Sequence, residues 1–197
     1  MQKTNQHMAT KHMTAILRYC ALIAAAGILS VVRAAAGLPI LSDSPTPFSF
    51  VVLGDMHYSR PDFEVRRVAA AIAAAVKDVQ PAVAFVCQTG DLVHGERPEG
   101  GKQLDKEEMK EELSFATKDL TEQFRLPLFI AVGNHDKNAG ATPFDEVVLP
   151  LLSRQLGTPL GQRYYAFRHG NSCFIFLDYG DYSESRASMD YGAQRKF

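Results

Sequence analysis

The 197-residue sequence has no tryptophan, only three cysteines and no CxxC pair. Without CxxC spacing, a zinc ribbon is not indicated. A Walker loop and a Gly-x-Gly-x-x-Gly fingerprint are also absent, which makes a nucleotide-binding module a poor hypothesis. The formal net charge is -1 and no basic stripe carries interleaved aromatic residues. Nothing in the sequence therefore indicates a nucleic-acid-binding surface.

The N-terminal region has the composition of an export signal. Basic residues precede an apolar stretch at 19–32, and a small-x-small site follows at Ala34 and Ala36. This order predicts a signal peptide over residues 1–36 and an exported protein, periplasmic or extracellular. The alternative is an uncleaved leader that acts as a membrane anchor. The signal peptide is favoured because the apolar stretch is shorter than the roughly 20 apolar residues that a spanning helix needs.

Two cysteines lie in the remainder of the chain. Cys87 and Cys173 each fall inside an apolar run, so we expect both to be buried and to behave as small hydrophobic residues. A disulfide is permitted in an exported protein, but the sequence does not establish one.

Strand and helix patterns alternate after a proline-rich segment at 37–47, which we interpret as a linker. The pattern predicts one domain over residues 48–197, with a mostly parallel sheet buried on both faces. The predicted strands are 48–54, 82–88 and 127–133, and the predicted helices are 61–80, 104–124 and 144–157. A pair of strands joined by a tight turn at 169–171 follows these elements.

The helix at 104–124 is amphipathic. Its apolar positions place Leu113, Leu120 and Phe124 toward the core. Its many acidic and basic residues are expected on a solvated face, where they form local ion pairs.

Polar residues follow each of the first three predicted strands. The strand ends read "LGDMH", "TGDLVHG" and "VGNHD", so each has a glycine and then an acid or an amide. Ligands bind outside the carboxyl ends of parallel strands. The pattern therefore predicts one crevice lined by Asp55, His57, Asp91, Asn134 and His135. Glycine before each polar residue lets the backbone turn sharply and approach closely.

Carboxylate, amide and imidazole donors without thiolate suit Mn, Fe or Zn. A carboxylate such as Asp91 has two oxygens and can bridge two ions. Paired ions roughly 3.5–4 Å apart suit displacement at phosphorus, because they stabilise both the attacking and the leaving oxygen. Each motif alone is compatible with an ordinary turn, but three in order at three strand ends favour a metal site.

The order Asp-x-His, Gly-Asp, Gly-Asn-His-Asp resembles the calcineurin-like metallophosphoesterase superfamily, in its Asp-x-His branch. The resemblance extends over residues 48–197. It implies a four-layer α/β/β/α sandwich, of which this chain supplies roughly the N-terminal half to two-thirds. It also implies hydrolysis of a phosphoester, as a phosphatase or a phosphodiesterase, with a hydroxide that bridges two metal ions as the nucleophile. The expected substrate is a small-molecule phosphoester or a phosphoprotein.

The resemblance also assigns roles to individual residues. It implies that Asp55 and His57 hold the first metal ion, that Asp91 bridges both ions and that Asn134 holds the second. The ions would be divalent or trivalent Mn, Fe or Zn.

The same resemblance gives catalytic roles to the two residues that follow Asn134. It places His135 near the leaving-group oxygen, as a general acid or charge stabiliser. It makes Asp136 the residue that orients His135.

One feature departs from the family pattern. The family supplies further histidine ligands downstream, and the chain has only His169 there, in a turn that we interpret as solvent-facing. We therefore expect a C-terminally incomplete domain that by itself binds metal weakly and hydrolyses slowly. The alternative is a truncated or non-catalytic domain that keeps partial metal binding or binds a partner.

Four residues near the motifs have open roles. His94 could lie near the crevice, although a loop histidine is the favoured interpretation. Asp178 could help to position Asn134 or water, or could be a turn acid. Tyr58 and Arg60 could border a substrate phosphate or cap the following helix.

Overall fold

The structure, a computed structural model, describes residues 37–60, 63–97 and 101–178. The predicted signal peptide, residues 1–36, lies outside the described residues. The described helices and strands belong to one unit, Pro39–Phe197. In chain order they are β1 (Ile40–Ser42), β2 (Ser49–Leu53), α1 (Phe63–Ala75), β3 (Val83–Gln88), α2 (Lys106–Phe124), β4 (Leu128–Ile130), α3 (Thr142–Leu156), β5 (Tyr165–His169) and β6 (Ser172–Phe176).

Most predicted elements are confirmed, with three differences. The helix predicted over 61–80 is α-helical only to Ala75, and a 3-10 turn follows at Val76–Asp78. The strands β2 and β3, the helices α2 and α3 and the pair β5–β6 lie where the sequence placed them. The strand predicted over 127–133 is shorter, because β4 is only Leu128–Ile130. The segment 37–47, interpreted as a linker, contains the strand β1.

The first sheet is parallel, with strand order β2-β3-β4. The helix α1 connects β2 to β3, and α2 connects β3 to β4. Parallel strands joined by crossover helices all point the same way, so their carboxyl ends meet at one edge of the sheet. This edge carries the three sequence motifs.

The second sheet has the order β1-β5-β6, and it is mixed. The strand β1 is parallel to β5, and β5 is antiparallel to β6. The expected mostly parallel arrangement therefore applies to the first sheet alone. Two sheets and three helices in the described residues form a mixed α/β fold, which agrees with part of the expected α/β/β/α sandwich.

Aromatic residues fill the space between the two sheets. The ring of Phe85 on β3 lies edge-on to Phe167 on β5 and to Phe174 on β6, with centroids 5.4 and 4.9 Å apart. Phe129 on β4 contacts Phe167 at 4.1 Å. Edge-to-face pairs of this kind stabilise a core beyond simple burial of area. The core thus holds the motif-bearing sheet on a rigid base.

The opposite face of the first sheet is covered by helices. Leu113, Leu120 and Phe124 of α2 are buried, as predicted. A capping box starts this helix, since the Asp105 side chain accepts the Glu108 N–H and the Glu108 side chain accepts the Asp105 N–H.

The expectation of a fully solvated charged face on α2 is wrong. Glu112 and Asp119 are each 5% exposed. Asp119 accepts hydrogen bonds from the hydroxyl of Tyr58 and from Nε of Arg66, both at 2.9 Å. A buried carboxylate needs such partners, because desolvation of an unpaired charge is costly. These acids attach α2 to the segment that follows β2.

The two cysteines differ in exposure. Cys87 on β3 is buried, as expected, whereas Cys173 on β6 is exposed. The prediction that Cys173 is buried is therefore wrong. Both are free thiols in the structure.

Candidate metal centre

Three loops at the carboxyl ends of β2, β3 and β4 are joined to one another by hydrogen bonds. The amide of Asp55 donates to the Gly90 carbonyl at 3.2 Å, and that of His57 donates to the Asp91 carbonyl at 3.0 Å. The amide of His135 donates to Oδ1 of Asp91 at 2.9 Å. The loop after β3 therefore lies between the other two, and the predicted convergence of the motifs is observed.

Three residues of these loops have backbone conformations that L-residues rarely adopt. The φ angles of Asp55, His57 and Asp91 are 49°, 49° and 52°. The left-handed region costs a residue with a side chain roughly 1–2 kcal/mol. Among the described residues only Arg125, at the end of α2, shares this property without being glycine. Such strain concentrated in one place points to a functional site.

Gly133 allows the third loop to approach the second. A Cβ atom at Gly133 would lie 2.1 Å from both the amide nitrogen and Oδ1 of Asp91. No side chain fits there, because real Cβ contacts are never that short. The glycine before the polar residues therefore has the role that the sequence predicted, close approach of the backbone.

Sequence reasoning missed Gln88, the last residue of β3. It is fully buried, and its side-chain amide donates to the Gly90 carbonyl at 2.7 Å while its Oε1 accepts the Gly90 N–H at 2.8 Å. One side chain thus satisfies both backbone groups of Gly90 and fixes the turn before Asp91. The only signal in the sequence is a glutamine at the end of an apolar strand.

Asp55, His57 and Asp91 present donor atoms within 4.8 Å of one another. Nε2 of His57 lies 3.9 Å from Oδ1 of Asp55. Nδ1 of His57 is buried and has no hydrogen-bond partner. A buried polar atom without a partner is costly, and a ligand can satisfy it. Two carboxylates and one imidazole fit a divalent metal ion of the first transition row.

Asn134 follows Gly133 and precedes His135, so its backbone lies directly beside Asp91. Its side chain is exposed. This placement puts the backbone of Asn134 at the same rim as Asp91.

The ring of His135 is held by a backbone carbonyl. Its Nδ1 lies 2.7 Å from the carbonyl oxygen of His94. A carbonyl can only accept, so Nδ1 carries the proton in this bond. Nε2 is then the atom of His135 that remains for chemistry.

The predicted orienting role of Asp136 is not what the structure shows. Asp136 is fully buried, and its two oxygens accept the amides of Val93 at 3.1 Å and Gly133 at 2.8 Å. Burial raises the pKa of this carboxyl from 3.8 to about 6, against the effect of these hydrogen bonds. Asp136 therefore joins the second and third loops, and the His94 carbonyl orients His135.

His94 lies among the site histidines rather than apart from them. Its ring is stacked on that of His135 with centroids 5.5 Å apart, and it lies edge-on to His57, also at 5.5 Å. Ring nitrogens of all three histidines lie within 4.8 Å of one another. The favoured interpretation as an isolated loop histidine is wrong. A histidine three residues after Asp91 is too common a feature to indicate this position.

These motifs are matched as a set by one family model. The model for calcineurin-like phosphoesterases matches residues 48–195. The chain belongs to the calcineurin-like phosphoesterase family. This match confirms the resemblance seen in the motifs, and the family in general carries out metal-dependent hydrolysis of phosphoesters. A search of curated proteins found no match.

Two other candidate residues have side chains that contact α2. Tyr58 is fully buried, and its hydroxyl donates to Asp119, so it does not border a substrate. The amide of Arg60 donates to Oε1 of Glu112, and its guanidinium pairs with Glu111. Arg60 therefore attaches the first loop to α2.

Asp178 and His169 also have contacts that support the fold. Asp178 pairs with Lys137 at 2.9 Å and with Arg163 at 2.7 Å, which anchors the end of the third loop. His169 packs on the rings of Phe48 and Phe85, with centroids 4.3 and 5.4 Å apart. The expectation that His169 faces solvent is wrong, and burial lowers the pKa of its imidazole.

Within the described parts of the phosphoesterase chain, no helix combines the length and the apolar character that crossing a bilayer requires.

Proposed function

We propose that this protein hydrolyses phosphoesters with two metal ions held by Asp55, His57, Asp91 and Asn134. The observation that carries the proposal is the position of Asp91. Its carboxylate lies within 4.8 Å of donors on Asp55 and His57, and its Oδ1 also accepts the His135 amide from the third loop. Asp91 thus lies near the donors of the first loop and is hydrogen-bonded to the third loop, which is the position that a bridging ligand needs.

The metal ions, when bound, supply a nucleophile at neutral pH and neutralise charge on the phosphoryl group. The donor set of oxygens and imidazole is suited to Mn, Fe or Zn. The side chains of Asp55 and His57 would hold one ion and Asn134 would hold the other, and Asp91 would be a ligand of both. The left-handed backbone at three of these positions supports this assignment, because strain of this kind is retained where function requires it.

His135 acts at the leaving-group oxygen through Nε2. Its Nδ1 proton is engaged by the His94 carbonyl, so the ring cannot turn freely, and the ring lies edge-on to that of His57 with centroids 4.7 Å apart. Protonated His135 stabilises negative charge on the leaving oxygen or donates a proton to it. Asp136 supports this role by fixing Gly133 two residues earlier.

The proposed reaction also sets the substrate class, which is a small-molecule phosphoester or a phosphoprotein. The N-terminal signal at 1–36 favours a substrate outside the cytoplasm, in the periplasm or the extracellular space. Secretion of a fusion of residues 1–36 to a reporter, compared with the reporter alone, measures this directly.

Asp91→Asn tests the proposal in the intact protein. The substitution keeps an oxygen to accept the His135 amide but removes the charge and the second metal-binding oxygen. We expect turnover of p-nitrophenyl phosphate to fall by at least about 100-fold, the usual minimum when a transition-state contact is lost, and Mn²⁺ binding measured by calorimetry to weaken. Asp78→Asn, at an exposed position far from the loops, is the matched control. Near-normal turnover in Asp91→Asn would reject Asp91 as the bridge.

A further inference from the structure

The three histidines of the site form a group of donors distinct from the carboxylates. Ring nitrogens of His57, His94 and His135 lie within 4.8 Å of one another. His57 also belongs to the group with Asp55 and Asp91, so it lies between an imidazole-rich and a carboxylate-rich position. The proposed reaction uses the carboxylate-rich position and does not use the His94 side chain.

We propose that His57, His94 and His135 bind a zinc ion, and that zinc bound there inhibits the proposed hydrolysis. Three imidazoles with an open fourth position are a set that Zn²⁺ binds well. Nitrogens at the corners of a tetrahedral zinc site are about 3.3 Å apart. Small rotations of the half-buried His57 and His94 side chains bring their nitrogens to this distance from His135, whose ring the His94 carbonyl holds in place.

The contacts of the rings agree with ligation. A histidine that binds a metal usually donates its other ring N–H to a carbonyl or a carboxylate. His135 does this through Nδ1, which donates to the His94 carbonyl at 2.7 Å and leaves Nε2 for the ion. Oε2 of Glu96 lies 3.9 Å from Nε2 of His94 and adds negative charge beside the group.

Selectivity for zinc follows from the donor types. A site of nitrogen ligands binds Mn²⁺ with much lower affinity than Zn²⁺. Mn²⁺ therefore prefers the carboxylates of Asp55 and Asp91, while Zn²⁺ is drawn to the imidazoles.

Inhibition follows from which atoms the ion occupies. Zinc on Nε2 of His135 removes the group that acts on the leaving oxygen, and zinc on His57 withdraws a ligand from the carboxylate group. This consequence rests on the proposed function, whereas zinc binding itself does not.

The test measures Zn²⁺ affinity of the metal-free intact protein by competition with a chelator. We expect the affinity of the tightest-bound zinc equivalent to fall at least about 10-fold in His94→Ala and in His94→Gln, since loss of even an outer contact of a ligand costs that much. His169→Phe is the matched control, because it removes an imidazole packed among aromatic rings and is expected to leave zinc affinity unchanged. Equal zinc affinity in the wild type and both His94 variants would overturn the site.

A second measurement separates the inhibition from the binding. Zn²⁺ is added to the Mn²⁺-loaded protein during turnover of p-nitrophenyl phosphate. We expect inhibition of the wild type, and resistance in His94→Ala, with the activity of each protein expressed as a fraction of its own activity without zinc. An active wild type that saturating zinc does not inhibit would overturn the inhibitory role. A wild type that is inactive with Mn²⁺ would reject the proposed function, and the affinity comparison would still decide whether zinc binds.

Discussion

Some residues of the candidate site have a backbone conformation or a buried atom that destabilises the protein, and His57 has both. Its φ angle is 49°, and its Nδ1 is buried without a partner. Both features destabilise the metal-free protein, and they support the proposal that the His57 side chain binds a metal ion.

Replacement of His57 by glycine or by alanine separates the backbone strain from the loss of the imidazole. Both variants lose the ring, but glycine tolerates positive φ, so His57→Gly should be more stable than His57→Ala by about 1 kcal/mol. Urea denaturation of the metal-free variants measures the difference. At His135, which lies in a 3-10 turn with ordinary φ, the order should reverse. The same order at both positions would contradict the strain at His57.

The sequence identifies residues whose side chains can bind metal or transfer a proton. It does not identify residues whose role depends on partners that are distant in the chain. Asp55, His57 and Asp91 were predicted together because each follows a strand end. The position of the His94 ring could not be predicted, because its proximity to His57 depends on how two loops cross. The orienting contact of His135 comes from a carbonyl, a group that every residue has.

At the scale of elements, the turns after the strands are fixed by buried polar side chains. Gln88 at the end of β3 holds both backbone groups of Gly90. Glu112 on α2 accepts the amides of Arg60 and Gly95, and so joins the first two loops, although burial raises the pKa of its carboxyl. The helix and the strand thus position the loops together.

Gln88→Glu tests this arrangement with almost no change in shape. The new carboxylate oxygen would face the Gly90 carbonyl, where the amide donated, and we expect a loss of about 1–3 kcal/mol in unfolding free energy. Gln155→Glu is the matched control, because there Oε1 only accepts, from the Leu128 amide at 2.7 Å, and a carboxylate can do the same. Thermal or urea denaturation compares the two. Equal stability of both variants would contradict the role of Gln88.

Local patterns predicted the larger elements and failed for those made by remote pairing. The helix α2 has a capping box and an apolar stripe within its own sequence, so it could be found. The strand β1 has three residues in a proline-rich segment, and only its pairing with β5, more than 100 residues away, makes it a strand. Likewise, the buried state of Glu112 depends on loops that the helix pattern does not contain.

At the scale of the whole unit, the two sheets pack against each other through aromatic rings, so each sheet has one face toward this packed region and one face away from it. Cys87 lies within the packed region, where burial raises the pKa of its thiol to about 12, and Cys173 lies exposed on β6. The family resemblance predicted the layered fold, but not the face on which each cysteine lies, because an apolar run does not show which of its residues point outward.

Thiol labelling tests the packing of the two sheets. In a Cys20→Ser background, we expect one fast-reacting thiol in the folded protein and a second only in denaturant, because the thiolate is the reactive form. The fast reaction should disappear in Cys173→Ser and persist in Cys87→Ser. Two thiols that react equally fast in the folded protein would contradict the described packing.

The central claim is that donors from three separate loops share metal ions around Asp91. Anomalous diffraction from Mn²⁺-soaked crystals of the intact protein tests it most directly. The account predicts two anomalous peaks about 3.5–4 Å apart, one in contact with Asp55 and His57, the other with Asn134, and both in contact with Asp91. A map in which no peak touches Asp91 would contradict it.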